Sequence, residues 1–236
     1  HSCIPEHIGL GSGTQMSLAI GMGLSAYYDL GLSVRDIALL TSRGARSGIG
    51  IATFEQGGLV VDGGRGEHTL TPPVIAHIAV PEDWRFILVL DASDQGLHGS
   101  DEIQAFKELP PFSSEKAANL CYLLMMQGLP ALAEANLPLF GEVITKLQTA
   151  VGEHFSGAQG GGIFTSPNVA KAMQFLQAQG AVAIGQTSWG PTGFCLVESE
   201  QQAKHLIQQV SATFEQDTQL KVMQVSARNT GGLVLA

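Results

Sequence analysis

Cysteine, positive charge and long apolar runs are all scarce in this sequence, and each shortage removes a class of function. The three cysteines, Cys3, Cys121 and Cys195, lie far apart and form no Cys-x-x-Cys pair. Neither a disulfide framework nor a zinc cluster is therefore encoded. Lys and Arg total 12 against 21 Asp and Glu, a formal net charge of −9. That balance argues against nucleic acid as a partner and against docking on anionic membranes. Any phosphate site must therefore be local. The apolar windows Phe86 to Leu90 and Leu120 to Met126 fall far short of the ~20 residues that a membrane span needs. The spaced, unpaired cysteines make the reduced cytoplasm the expected compartment, and no secretory signal is read at the start. The seven histidines are scattered, and lone ones such as His77 and His205 read as surface or satisfied core groups. No nucleophile and base are placed together by spacing.

Glycine, by contrast, is abundant, and it is clustered. Pro5 to Gln15 reads PEHIGLGSGTQ, with Gly9, Gly11 and Gly13 inside five residues and hydroxyls at Ser12 and Thr14. The turn ends where helical periodicity begins, at MSLAIGMGLSAYY, so its free amides can converge on an anion. A backbone that wraps a phosphate needs positive φ or close approach, which a Cβ would obstruct. The spacing is Gly-x-Gly-x-Gly, which is neither a Walker A loop nor the dinucleotide fingerprint, and an ordinary turn has the same glycines. Only His1 to Ile4 precede this loop. A phosphate loop normally hangs from a sheet, so an N-terminal portion is expected to be missing from the sequence.

The segment Thr14 to Leu30 repeats apolar residues at helical spacing and is expected to be a buried helix, with Gly21 and Gly23 marking close packing. Ser33 opens a second helix, to Thr41, with Asp36 three residues on approximating a capping box. A second glycine block, Arg43 to Gly50, reads RGARSGIG. Arg43 and Arg46 offer bidentate forks, and Ser47 and Gly48 offer a hydroxyl and a closely approachable backbone, so an anion site is expected over a surface hairpin. Leu59 to Val61 read as a short strand, followed by Asp62 within VVDGG. Val74 to Val80 and Arg85 to Leu90 read as a hairpin. The loop Asp91 to Glu102 carries four acids and His98. It is either solvated surface, with Asp91 or Asp94 capping turns, or a set of acids facing Mg²⁺ or a reacting sugar.

Ser113 to Phe155 reads as helical, divided at Pro130 and Pro138, with Met125 and Met126 as core filler. Beyond Gly162 the order is helix, strand, loop, strand, helix, strand, which suits an α+β lobe with its helices on one face of an antiparallel sheet. The loop between the two strands, Gln186 to Phe194, reads QTSWGPTGF, and it is either a hairpin turn or a third glycine-rich binding loop. At 236 residues the chain can bury a substantial core, and two domains are expected, 1–112 and 113–236.

PEHIGLGSGTQ resembles the central phosphate-binding motif of the GHMP kinase superfamily, and SWGPTGF resembles its C-terminal glycine motif. Taken with RGARSGIG and GGLVVDGG, the set resembles more narrowly the β-ribofuranosylaminobenzene 5′-phosphate synthases of that superfamily, a family of the methanopterin pathway. The resemblance implies a two-lobed GHMP kinase-like α+β fold with a ferredoxin-like C-terminal lobe. It also implies a decarboxylating condensation of 4-aminobenzoate with phosphoribosyl pyrophosphate, releasing CO₂ and pyrophosphate and requiring Mg²⁺. On this reading Gly9, Gly11, Ser12, Gly13 and Thr14 cradle pyrophosphate together with Gly190, Thr192 and Gly193 of the third loop. Arg43, Arg46, Ser47 and Gly48 grip the remaining phosphate or the carboxylate. Ser12 serves the metal side, with Asp94 a second metal-facing candidate. A homodimer is expected by the same resemblance.

Asp62 is the first choice of carboxylate for the developing ribosyl cation, with Asp94 second, while Asp62 as a cap of the Gly63-Gly64 turn stands equally open. Kinases of the superfamily commonly read Ser-Gly-x-Asp, where this chain reads Ser47, Gly48, Ile49, Gly50. Glycine cannot accept a proton, so an aspartate-dependent phosphoryl transfer lacks its base here. An ATP-dependent small-molecule kinase and a non-catalytic nucleotide-binding module are the alternatives.

Overall fold

The computed structural model describes residues 3–6, 8–45, 47–93, 105, 107–188, 190–216 and 219–234. Backbone contacts divide the chain into two compact units. One comprises His1–Ile4, Gly11–Val80 and Ala227–Ala236, and the other Pro5–Leu10 and Pro81–Ser226.

The first unit holds α1 (Ser12–Tyr27), α2 (Val34–Leu40), α3 (Ile49–Gln56), β1 (Leu59–Asp62) and β2 (Val74–Ile78). The capping box that opens α2 is complete: Ser33 accepts from the Asp36 amide, and Asp36 accepts from the Ser33 amide. That hydrogen bonding holds the Asp36 carboxyl below the usual range, the Ser33 hydroxyl contributing most. Leu18, Ile37, Ala38 and Ile51 form the buried centre, with Met22 and Phe54 packed against it. Gly21 is a contact point, because a Cβ there would overlap Ile37, whereas Gly23 has open space around it.

One expectation is corrected here. Helix α1 is not buried all round: Met16, Ile20, Leu24 and Tyr27 are 44%, 55%, 51% and 81% exposed. Its apolar residues occupy more of the circumference than α2 and α3 cover. A helix that the sequence reading does not assign, Ile49–Gln56, follows the Arg43 block. Gly48 and Gly50 concealed its start.

The second unit carries a four-stranded antiparallel sheet in the order β4-β5-β3-β6, with β3 at Arg85–Asp91, β4 at Val182–Gln186, β5 at Thr192–Val197 and β6 at Leu220–Ser226. Between β3 and β4 run α4 (Ser114–Leu123), a π-helical turn (Leu124–Gly128), α5 (Leu129–Ala133), α6 (Leu137–Phe155) and α7 (Pro167–Ala178), and α8 (Glu200–Thr213) joins β5 to β6. Taking β3, α7, β4, β5, α8 and β6 in turn gives the split βαβ arrangement of a ferredoxin-like lobe. The expected hairpin of Val74–Val80 with Arg85–Leu90 does not form. β2 pairs with β1, while β3 lies between β5 and β6. The apolar run FILVL suits a strand inside the sheet, between two hydrogen-bonded neighbours. Ile87 and Val89 of β3 and Cys195 and Val197 of β5 share one face, against Val169, Met173 and Leu176 of α7 and Leu206 and Val210 of α8. Burial pushes the Cys195 thiol up to about 12.

Helix α6 lies along β4, where side chains complete the edge of the sheet. Thr145 Oγ1 accepts from the Ile184 amide at 3.0 Å, and Gln148 Oε1 accepts from the Gln186 amide at 3.1 Å. Met125 and Met126, expected as core filler, are 42% and 63% exposed on the π-helical turn. Among the described residues no helix is long and apolar enough to cross a membrane.

At the end of β3, Asp91 is buried, 3% exposed. It accepts from the amide and hydroxyl of Ser93 and from Ser166 Oγ at 2.6 Å. Ser166 in turn accepts from the Val169 amide, capping α7. Burial pushes the Asp91 carboxyl up, but the Ser166 and Ser93 bonds outweigh it and hold the group below its ordinary value. A depressed carboxyl stabilises the fold fully above its unfolded pKa, about 3.9, and that contribution fades as pH falls through the lower folded value. Asp91→Asn should therefore lower stability by about 1–2 kcal/mol at pH 7. The deficit should shrink in urea titrations at progressively lower pH below 4.

Candidate functional site

The Pro5 to Gln15 loop is divided between the two units. Its first part, in the second unit, is locked onto the loop between β4 and β5. Thr192 Oγ1, fully buried, donates to the Ile8 carbonyl at 2.8 Å, and Thr187 Oγ1 donates to the same oxygen at 3.2 Å. Gly9 takes φ +77°, and a Cβ on it would lie 2.9 Å from Gly190 Cα and Ser188 O. A Cβ on Gly190 would overlap the Ile8 carbonyl in turn. Two of the expected glycines thus make one backbone-to-backbone contact, and the Thr192 hydroxyl is used in holding it. Thr165 Oγ1 donates to the Gly190 carbonyl at 3.2 Å and steadies the same loop. Gly193 meets a different need, because a Cβ there would press on Val169 and Met173 in the core. Thr187 lies within the QTSWGPTGF loop but carries no motif signal of its own.

In the first unit, Gly11 precedes α1 in the left-handed region, φ 70°, a conformation in which glycine is the favoured residue. No side chain caps α1, and no acid lies in its first turn. The leading amides, from Ser12 to Thr14, therefore lack a side-chain acceptor. Over this turn stands the Arg43 guanidinium, whose Nη1 and Nη2 would be 3.5 and 3.6 Å from a Cβ on Gly13. Arg43 Nε donates to Ser17 Oγ at 3.2 Å, and Ser17 Oγ donates to the Gly13 carbonyl at 2.8 Å, so the side chain is tethered to the helix it overlies. Ser17 carried no motif signal. Among the described residues Arg43 has no acidic partner. A cation held against the positive end of a helix is unfavourable unless an anion joins them.

The start of α3 differs in this respect. Asp62 Oδ2 accepts from Ser47 Oγ at 2.8 Å and from the Gly48 amide at 2.9 Å, while Oδ1 accepts from the Gly64 amide at 3.1 Å. Ser47 Oγ also accepts from the Ile49 amide. The donors at Ser47 and Gly48 are thus taken up by the chain itself, and those of α1 are not. Position 50 faces the first turn of α1: a Cβ on Gly50 would lie 3.1 Å from Thr14 Cγ2, and Gln15 Nε2 donates to the Gly50 carbonyl. Arg46, Asp94, His98 and Trp189 lie outside the described residues. Among the described residues no three His, Cys, Asp or Glu side chains cluster as metal ligands.

Known proteins share both the sequence pattern and the fold of this chain. Sequence models for the GHMP kinases N terminal domain and for GHMP kinases C terminal match residues 1–58 and 129–216. A β-ribofuranosylphenol 5′-phosphate synthase of Methanothermobacter thermautotrophicus is 30% identical over 211 residues, 84% of this chain and 63% of the relative. The synthase of that name from Archaeoglobus fulgidus is 34% identical over 207 residues, 82% of this chain and 62% of the relative. The chain therefore spans less than two thirds of the length of these curated relatives. Among solved structures, homoserine kinase from Cytophaga hutchinsonii superposes with a TM-score of 0.62 at 15% identity, covering 98% of this chain and 69% of the kinase. L. major mevalonate kinase gives a TM-score of 0.64 at 16% identity, covering 94% and 68%. With the N terminal and C terminal models of the family matched in order along it, the chain belongs to the GHMP kinases.

Proposed function

We propose that the chain takes part in a decarboxylating phosphoribosyl transfer, in which 4-aminobenzoate and phosphoribosyl pyrophosphate condense with release of CO₂ and pyrophosphate. The observation that carries this reading is the uncapped start of α1 beneath the Arg43 guanidinium. That pairing suits the two clustered negative charges of a pyrophosphate leaving group. The relatives, β-ribofuranosylphenol 5′-phosphate synthases, support a ribosyl-arene product. Gly50 points the same way, because its backbone faces Thr14 and offers no side chain to deprotonate an alcohol. The Ser12 hydroxyl makes no capping bond at the start of α1 and fits the role of a hydroxyl ligand to Mg²⁺, which binds substrate phosphates with few protein groups. Bound there, Mg²⁺ would neutralise charge on the departing pyrophosphate. The cytoplasm and a homodimer complete the proposal.

Carboxyl-labelled 4-aminobenzoate and its 4-hydroxy counterpart, each incubated with phosphoribosyl pyrophosphate, test the reading by release of labelled CO₂. Parallel incubation with labelled ATP and candidate alcohols tests the kinase alternative. CO₂ release supports the proposal, and phosphoryl transfer without CO₂ overturns it.

Asp62 enters as the carboxylate that favours the ribosyl cation. Asp62→Asn keeps the shape and removes the charge. It should lower kcat by on the order of tenfold while the KM for phosphoribosyl pyrophosphate stays within about threefold. An effect on KM alone would assign Asp62 to capping the Ser47 and Gly64 turns.

A further inference from the structure

Within the second unit a cavity of about 520 Å³ opens between α6, α7, β4 and the segment 159–164. Its size is that of a small-molecule pocket. Phe155, Phe164, Met173 and Ile184 supply apolar wall, and polar groups come from amides and hydroxyls such as Gln148, Gln159 and Thr149. No charged side chain lines it among the described residues, in a chain that carries a formal charge of −9. Two glycines keep it open: a Cβ on Gly185 would press on Gln148, and one on Gly152 would overlap Ile163. Its rim reaches Thr187 and Ser188, the residues against which Gly9 packs.

We infer that this cavity is the subsite for the aromatic ring of the acceptor acid, bound with its amino end inward and its carboxyl-bearing carbon at the Thr187–Ser188 rim. The inference rests on the reaction proposed above. An uncharged apolar chamber is a poor host for a carboxylate and a good one for a neutral ring, so the carboxylate is held at the mouth. Gln159 Nε2 is spent on the Gly162 and Ile163 carbonyls at 2.9 and 2.8 Å, which leaves Oε1, bonded to Gln186 Nε2 at 3.4 Å, to accept from a substituent. Gln148 Oε1 is spent on the Gln186 amide, which leaves its Nε2 to donate. One acceptor and one donor suit an amino or a hydroxyl group equally. In the reaction the ring carbon bearing the carboxylate forms a bond to the ribosyl carbon, and pyrophosphate leaves with its electron pair. The bond to the carboxylate then breaks, its electrons restoring the ring as CO₂ departs, and no proton is exchanged. The ring seated against the apolar wall keeps the carboxyl-bearing carbon at the mouth, where a charged group becomes neutral CO₂.

The test uses the whole chain titrated with 4-aminobenzoate and with aniline, the neutral probe, comparing wild type with Thr149→Phe, which fills the chamber, and Gln159→Glu, which charges it. Both variants should lose tenfold or more in affinity for both probes and keep their affinity for phosphoribosyl pyrophosphate. Thr149→Phe leaves the Gln159 bonds intact, so it reports even if Gln159→Glu disturbs the 159–164 segment. Unchanged probe affinity in Thr149→Phe, or no binding of either probe to wild type, overturns the assignment. Binding that Thr149→Phe abolishes, without CO₂ release from wild type, would uphold the subsite and remove the proposed reaction.

Discussion

Gly190→Ala should lose about 2–3 kcal/mol of stability and most of the affinity for pyrophosphate. The added methyl would overlap the Ile8 carbonyl and crowd Gly9 Cα. Neither side can yield cheaply, because Ile8 is held by the Thr187 and Thr192 hydroxyls and the Gly190 carbonyl by Thr165. Relief therefore requires Ile8 and Gly9 to leave the loop. Leaving exposes the buried Thr192 hydroxyl and strips it of its acceptor, which is the larger part of the expected loss. Because Gly9 leads within two residues to the start of α1, its departure also changes the path of the chain into the anion-binding turn. Gly157→Ala is the control in the same unit, since a Cβ there meets nothing within 4 Å, and it should stay within about 0.5 kcal/mol of wild type. Urea unfolding with an unchanged slope, followed by calorimetric titration with pyrophosphate, reads both effects. A Gly190→Ala protein as stable as the control would mean that the meshing of the two glycine loops has no energetic weight.

That meshing shows what a sequence can and cannot convey. PEHIGLGSGTQ and SWGPTGF were each legible as glycine loops, and their order carried the fold. Their physical link is a pair of hydroxyls bonded to one carbonyl 179 and 184 residues away, which no local pattern encodes. The same limit explains the strand pairing: alternation marks Val74–Val80 and Arg85–Leu90 as strands, but the partners that β3 takes, β5 and β6, lie far along the chain. Short helices hide where glycines supply their first turn, as at Gly48 and Gly50. Of the ferredoxin-like lobe, α7, β4, β5, α8 and β6 are legible because each is periodic, whereas β3, which lies between β5 and β6, reads as part of the first domain. At Asp62 two readings stood level from sequence. The carboxylate proves to serve the Gly64 turn and the start of α3 together, a double use that spacing alone does not express.

Reversing the charge at Arg43 should move binding and stability in opposite directions. Arg43→Glu removes the guanidinium from the first turn of α1 and sets a carboxylate near amides that have no side-chain cap. Pyrophosphate then loses a charge-assisted contact and meets a like charge already bidding for the same donors. Affinity should fall by about thirtyfold or more, ~2 kcal/mol, at low ionic strength. The deficit should narrow as salt is added, because Arg43 is exposed and its field is screened. Helix α1 gains the acid that its N-terminus lacks, which is worth about 0.3–1 kcal/mol, so the unliganded protein should melt at a higher temperature than wild type. Arg43→Gln separates the two contributions: it loses the contact without adding repulsion, and it should fall between wild type and Arg43→Glu in affinity. A residue that merely decorates a surface turn would change neither quantity. A residue that holds the fold together would lower both, so only an anion site built from the helix end and the guanidinium predicts weaker binding in a more stable protein.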